Sequence, residues 1–178
     1  MSELRKLLSS LALLGEFNNA SSTTLNVTAI NARNGKSHFE CWALWSPIIS
    51  SSQSGIVGTQ ATQLGDVANI TYNTIPPGYQ SAVHTCPSNQ WVMVLKGSAV
   101  ITLPDNSSST FMATAGESGL FFAADTAAIS EKGHGSYFPG VTETIFLQVP
   151  TKNGSIPEHE VIHVDMACGA QEYAGLRR

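Results

Sequence analysis

The sequence predicts an all-β fold, and three observations carry that prediction. Short apolar runs recur at close intervals from residue 68 to residue 164, turn residues separate them, and a single helical pattern stands apart at the start. Many short strands without a long linker make one β-sandwich or barrel, with the double-sheet jelly roll favoured. At 178 residues the chain has the length of one domain, residues 1–178, and can bury a core without disulfide support.

The helical pattern comes first. In "MSELRKLLSSLALLGEF" Leu4, Leu7, Leu8, Leu11 and Leu14 share one face, Ser2 is placed to cap and Gly15 to stop. This predicts an amphipathic helix over residues 1–16 that packs on the domain or on a partner subunit. The apolar core is short, Ser9-Ser10 interrupts it and Glu3 sits where a secretory leader carries positive charge, so a signal peptide is not expected.

Strands follow in order. Residues 24–31 read as a strand that turns at Asn34-Gly35, and "SHFECWALWSPII" alternates until Pro47 ends it. "ANITYNTI", residues 68–75, alternates β-branched and polar side chains before the Pro76-Pro77-Gly78 turn. Further strands are expected at 81–86, 90–95, 98–103, 109–114, 118–123, 127–131, 142–149 and 160–164. Turns at Lys96-Gly97, "PDNSS", Ala115-Gly116-Glu117, "EKGHG", "PGV" and "TKNGSIP" separate them. The run 90–95 is apolar on both faces, which predicts a strand sandwiched between layers.

Bulk charge excludes several roles. Only 12% of residues are charged and the formal net charge is −4, with no basic cluster beyond Arg5-Lys6 and Arg177-Arg178. No nucleic-acid partner is expected from that balance, and no run reaches transmembrane length, so no membrane partner is expected either. Cys41, Cys86 and Cys168 are odd in number, widely spaced and form no CxxC pair. They predict neither a disulfide framework nor a structural zinc site, and a reducing, cytoplasmic location follows. Five N-x-[ST] sequons pull the other way, but a chain this rich in Asn, Ser and Thr produces them by chance.

The chemistry concentrates in "PPGYQSAVHTCPSNQWVMVLKG", residues 76–97. Alternate strand residues share a face, so His84 and Cys86 point together, and a turn at Pro87-Ser88-Asn89 brings Gln90 alongside. With Gln90 inward, Val92 and Val94 follow it, while Trp91, Met93 and Leu95 face a second layer or subunit. Gly78, His84, Cys86, Gln90 and Gly97 stand at spacings that resemble the first motif of the cupin superfamily. That family's barrel motif usually has a second histidine at position 86 and a glutamate at position 90, which hold a divalent metal with a histidine from a second motif. Gly116-Glu117 resembles the opening of that second motif, and on the resemblance His134 takes the last histidine's place. A subgroup of small cupins reads similarly, as H-x-x-P-x-x-Q and later G-x-G-H. The resemblance covers about residues 66–150 and implies a cupin-type double-stranded β-helix over that core.

Two departures shape the expected chemistry. Gln90 removes the anionic oxygen ligand, and Cys86 replaces an imidazole by a thiol. The metal set implied by the resemblance is His84, Cys86, Gln90 and His134, holding zinc, iron or copper if Cys86 ionises; the cofactor stays open between one divalent ion and none. Without a metal, His84 and His134 can move protons near neutral pH and Gln90 can polarise a carbonyl. Trp42, Trp45 and Tyr72 either line the barrel mouth or fill the core; Val92, Phe122 and Asp125 complete the expected substrate contacts, Asp125 with turn-capping as its rival role.

No nucleophile elbow, phosphate loop or carboxylate pair is visible. The expected function is therefore a lyase, isomerase or cyclase acting on a carbonyl-bearing small molecule, with secondary-metabolite tailoring implied by the family resemblance. A metal-dependent dioxygenase and a non-catalytic small-molecule binder are the alternatives. A homodimer is expected by the same resemblance, helped by the apolar outer strand face.

Overall fold

A computed structural model describes residues 24–173. The helix expected over residues 1–16 lies outside the described residues. Among the described residues 51% lie in β-strands or isolated β-bridges. In chain order the strands are β1 (Asn26–Arg33), β2 (Lys36–Leu44), β3 (Ile49–Ser50), β4 (Gln60–Ala61), β5 (Thr71–Ile75) and β6 (Gln90–Lys96). β7 (Ser98–Leu103), β8 (Asn106–Thr114), β9 (Leu120–Ala123), β10 (Gly135–Tyr137), β11 (Thr144–Pro150) and β12 (His159–Val164) complete them, before a short helix α1 (Ala170–Tyr173).

Seven strands form one sheet in the order β12-β2-β1-β9-β6-β11-β5, and three form a second in the order β10-β7-β8. β1 and β9 pair in parallel; the other neighbours in both sheets run antiparallel. The large sheet is wider than the expected core of residues 66–150, because β1, β2 and β12 are built into it.

Local sequence explains the connections. Asn34 and Gly35 both take positive φ, 54° and 77°, and join Arg33 to Lys36 in the mirror-image turn that matches strand twist. Gly97 turns β6 into β7 with φ 78°, where a β-carbon would meet Thr144 Oγ1 at 2.6 Å.

Strand alternation divides the large sheet into two buried faces. Ile30, Phe39, Val92, Val94, Phe121 and Ala123 turn toward the small sheet, where they pack with Ala99, Ile101, Leu103 and Phe111. Val27, Ala29, Trp42, Leu44, Trp91, Phe122 and Val149 form a second cluster on the opposite face. Burying side chains of that size contributes about 1.5–3 kcal/mol each. The indole N–H of Trp91 donates to the Leu64 carbonyl at 3.0 Å, so the segment between β4 and β5 folds over this outer face. β6 is therefore buried on both sides along its first half, as its unbroken apolar run requires.

Two strand expectations fail. Residues 127–131 form a turn, in which the Ile129 and Ser130 amides both donate to the Thr126 carbonyl. The strand comes later, at β10, inside what reads in sequence as a glycine-rich turn. Residues 81–86 carry isolated bridges, His84 to His134 and Cys86 to Thr126, in place of a continuous strand.

The cysteine reading is also corrected. Cys41 and Cys168 form a disulfide across 127 residues, tying β2 to the chain end beside α1. Sequence spacing hides it because β2 and the C-terminal segment meet only through the fold. Disulfides persist in oxidising compartments, so the cysteine-based reason for a cytoplasmic location falls away. Cys86 is the free cysteine. No helix among the described residues is long and apolar enough to cross a membrane.

Candidate functional site

A cavity of about 270 Å³ opens between the two sheets, and His84, Cys86, Gln90, Val92 and His134 all line it. Three segments deliver them: β6 starts with Gln90, the segment before it carries His84 and Cys86, and His134 sits one residue ahead of β10. The chain around His84 is held to His134 by two backbone hydrogen bonds, each donating to the other's carbonyl at 2.9 Å. This pairing sets the two imidazoles 4.9 Å apart, centroid to centroid, at a tilt of 49°.

The imidazoles differ in setting. His84 is exposed and stands at the mouth, not deep in the cavity as expected from its strand position. Its Nδ1 lies 2.9 Å from the Ala82 carbonyl, which can only accept, so Nδ1 carries the proton. His134 is buried. Its Nδ1 lies 2.8 Å from Asp125 Oδ2. A carboxylate also only accepts, so Nδ1 again donates, and in the neutral ring the lone pair is on Nε2 at the far edge.

Asp125 does not line the cavity. It is fully buried behind His134 and is the partner that orients it. The Ser37 hydroxyl on β2 donates to the same Oδ2 at 2.9 Å and lies 2.8 Å from Ser130 Oγ, which accepts from the Gly133 amide. Because Ser37 gives its hydrogen to Asp125, Ser130 must give its own to Ser37. Amide, hydroxyl and hydroxyl thus form a directed chain ending at the Asp125 carboxylate, which also accepts from His134 Nδ1. Ser37 and Ser130 were not legible as site residues, since 88 residues separate Ser37 from Asp125. Among the described residues Asp125 Oδ1 has no nitrogen or oxygen hydrogen-bond partner, and the Cys86 thiol lies against this carboxylate.

Gln90 is 3% exposed, and among the described residues its amide makes no hydrogen bond. The residue lines the cavity, where its amide is open to a ligand. Cys86 is buried, and burial together with the charge of Asp125 pushes its thiol far above the ordinary range. It is a protonated, weakly polar wall group.

Four expected substrate contacts lie elsewhere. Trp42 and Phe122 are fully buried on the other face of the large sheet, ring centroids 5.5 Å apart. Alternation puts their neighbours on the cavity side, and Phe121 is the residue that lines it. Trp45 is 63% exposed beyond the end of β2, and Tyr72 is 61% exposed on the edge strand β5. Tyr72 pairs with Leu147 on the outer face, which turns Asn73 inward.

The donors that could hold a metal are all neutral: Nε2 of His84 and His134, the Gln90 amide oxygen and the protonated Cys86 thiol. The one carboxylate nearby, Asp125, is engaged behind His134. Among the described residues no group of three or more His, Cys, Asp and Glu side chains is arranged to hold a metal ion. This donor set does not fit a firmly bound divalent ion, because nothing in it offsets the cost of dehydrating the cation.

The fold and site define an all-β protein with an apolar cavity between its two larger sheets and a carboxylate-oriented histidine. No family model matches the chain, and no curated protein matches it. Among solved structures it is similar to the polyketide cyclase RemF from Streptomyces resistomycificus, at 17% identity, covering 83% of this chain and 87% of that one. The TM-score is 0.38, a likeness too distant to carry function across.

Proposed function

We propose that this chain is a small-molecule enzyme of the lyase, isomerase or cyclase type, working by general acid–base catalysis on a carbonyl-bearing substrate. The observation that supports it is the pairing of His134 Nδ1 with buried Asp125, which leaves Nε2 as a base at an apolar cavity. In this reading Nε2 of His134 removes a proton from carbon next to the substrate carbonyl. The Gln90 amide donates to the carbonyl oxygen as it gains negative charge. The proton that His134 Nε2 has taken is then delivered to another carbon or to a departing hydroxyl, directly or relayed through Nε2 of His84 at the mouth, so the cycle is proton-neutral. A cupin-type jelly roll, a secondary-metabolite substrate and a homodimer belong to the same proposal, supported by the motif at Gly78–Gly97 and by the two-sheet order.

Exchange of the C2 hydrogens of 1-tetralone for deuterium, followed by NMR in D2O with EDTA present, tests the proton transfer. The protein should accelerate exchange above buffer, and His134→Asn or Gln90→Leu should remove most of the acceleration. Acceleration that appears only with added iron, copper or zinc would transfer support to a metal-dependent enzyme. Tetralone binding without exchange would leave a non-catalytic binder.

A further inference from the structure

The cavity has a second polar wall that the proton-transfer reading does not use. Asn73 on β5 and Gln148 on β11 both line it, on the same sheet face as Gln90. Register places them on a diagonal: Gln90 pairs with Pro150, two residues from Gln148, and Asn73 pairs with Phe146, two residues the other way. Diagonal neighbours of this kind lie about 7–8 Å apart. The Asn73 amide N–H groups are spent on the Gln148 side-chain oxygen at 3.2 Å and the Thr71 carbonyl at 3.3 Å. That leaves the Gln148 N–H groups as donors and the Asn73 oxygen as an acceptor, with no partner among the described residues. Gln90, nine-tenths buried and unpaired, repeats the pattern one step along the diagonal.

Between these amides the walls are Phe121, Phe138, Phe146, Val94 and Ile101, and among the described residues no Asp, Glu, Lys or Arg lines the cavity. Its volume, about 270 Å³, lies at the small end of the ~300–1,000 Å³ of small-molecule pockets. That size suits a one- or two-ring molecule. We infer that the substrate is a neutral, compact ring compound of one or two rings carrying oxygen functions at two separated positions, one met by Gln90 and the other by the Asn73–Gln148 pair. An anion would find no fixed cation, and a purely hydrocarbon ligand would bury three amides without partners. This inference rests on the proposed site but not on its chemistry, since binding and turnover are separate readouts.

Calorimetric titration of the full chain with three probes tests it: 5-methoxy-1-tetralone, 1-tetralone and 1-naphthoic acid. The dioxygenated probe should bind more tightly than 1-tetralone, and the carboxylate should bind weakest. Gln148→Leu and Asn73→Leu should each weaken 5-methoxy-1-tetralone by about three- to tenfold, the size of one lost hydrogen bond, and leave 1-tetralone unchanged. His134→Asn should leave the ranking intact, so that failed catalysis and failed recognition are told apart. Tighter binding of 1-naphthoic acid, no binding of 5-methoxy-1-tetralone, or variants that weaken both tetralones equally would overturn the inference.

Discussion

The carbonyl oxygen of His84 occupies the space that a β-carbon on Gly133 would need, and Gly133 takes a left-handed φ of 79°. That absence lets the segment bearing His84 lie against the segment bearing His134. Gly133→Ala therefore meets two obstacles, a strained φ of about 1–2 kcal/mol and a backbone clash. Gly154→Ala is the matched control: its φ is 67° and nothing lies within 4 Å of the added carbon. Urea unfolding should show Gly133→Ala losing more than about 2 kcal/mol, clearly above the control, with tetralone exchange falling alongside. Equal losses in the two variants would mean that the close approach does not matter.

Asp125 acts on His134 by orientation. Asp125→Asn keeps the shape but can present an N–H where Nδ1–H needs an acceptor, favouring the wrong tautomer. Exchange activity should fall by about 100-fold or more, while affinity for 1-tetralone stays within about twofold. Ser37→Ala removes one of the two donors to Oδ2 and should give a smaller loss in the same direction. A fall in affinity without a fall in rate would assign Asp125 a merely structural part.

A buried ion pair predicts the pH profile of stability. His38 Nε2 lies 2.8 Å from Glu40 Oε1, and Trp42 and Asn31 donate to the other oxygen. Burial alone would raise the Glu40 carboxyl, but the hydrogen bonds from His38, Asn31 and Trp42 outweigh it and hold it down to about 2. The hydrogen bond to Glu40 raises His38, against burial. Glu40 thus stabilises the fold above its ordinary value of 4.5, and that contribution is lost as pH falls toward about 2. His38 stabilises it below its ordinary value of 6.5, and that share is lost as pH rises through the raised value. The urea midpoint should be highest between those two ordinary values. Glu40→Gln should lower that plateau by on the order of 2–3 kcal/mol and flatten both flanks. An unchanged profile would remove the pair from the account.

Thiol counting checks the Cys41–Cys168 bond. Unfolded but unreduced protein should titrate one thiol, Cys86, and reduced protein three. Reduction should cost the fold about 2–4 kcal/mol, read as a lower melting temperature. Three thiols without reductant would show that the bridge does not form.

Much of this architecture was legible from period and turn chemistry. The Asn34-Gly35 hairpin and the doubly buried run at 90–95 follow from local rules; His84, Cys86, Gln90 and His134, grouped in sequence by the motif resemblance, line one cavity, and their roles there belong to the proposal. What failed depends on facts the chain does not carry locally. Which face of a strand is inner is invisible when both are apolar, so Phe121 and Phe122 are not told apart locally; on β5 it is the polar face, with Asn73, that lines the cavity, while Tyr72 lies outside. Ser37, Asp125 and the Cys41–Cys168 bridge join segments that meet only through tertiary packing. The glycines flanking His134 read as a loose turn, although close backbone approach is what they permit.

The claim under all of this is that His134 offers Nε2 as a base because Asp125 holds the proton on Nδ1. Long-range proton–nitrogen NMR correlation of uniformly 15N-labelled protein at neutral pH reads the tautomer directly. The prediction is a protonated Nδ1 and a bare Nε2 for His134, shifting toward the opposite tautomer in Asp125→Asn. A His134 that carries its hydrogen on Nε2 in the unmodified protein would contradict it.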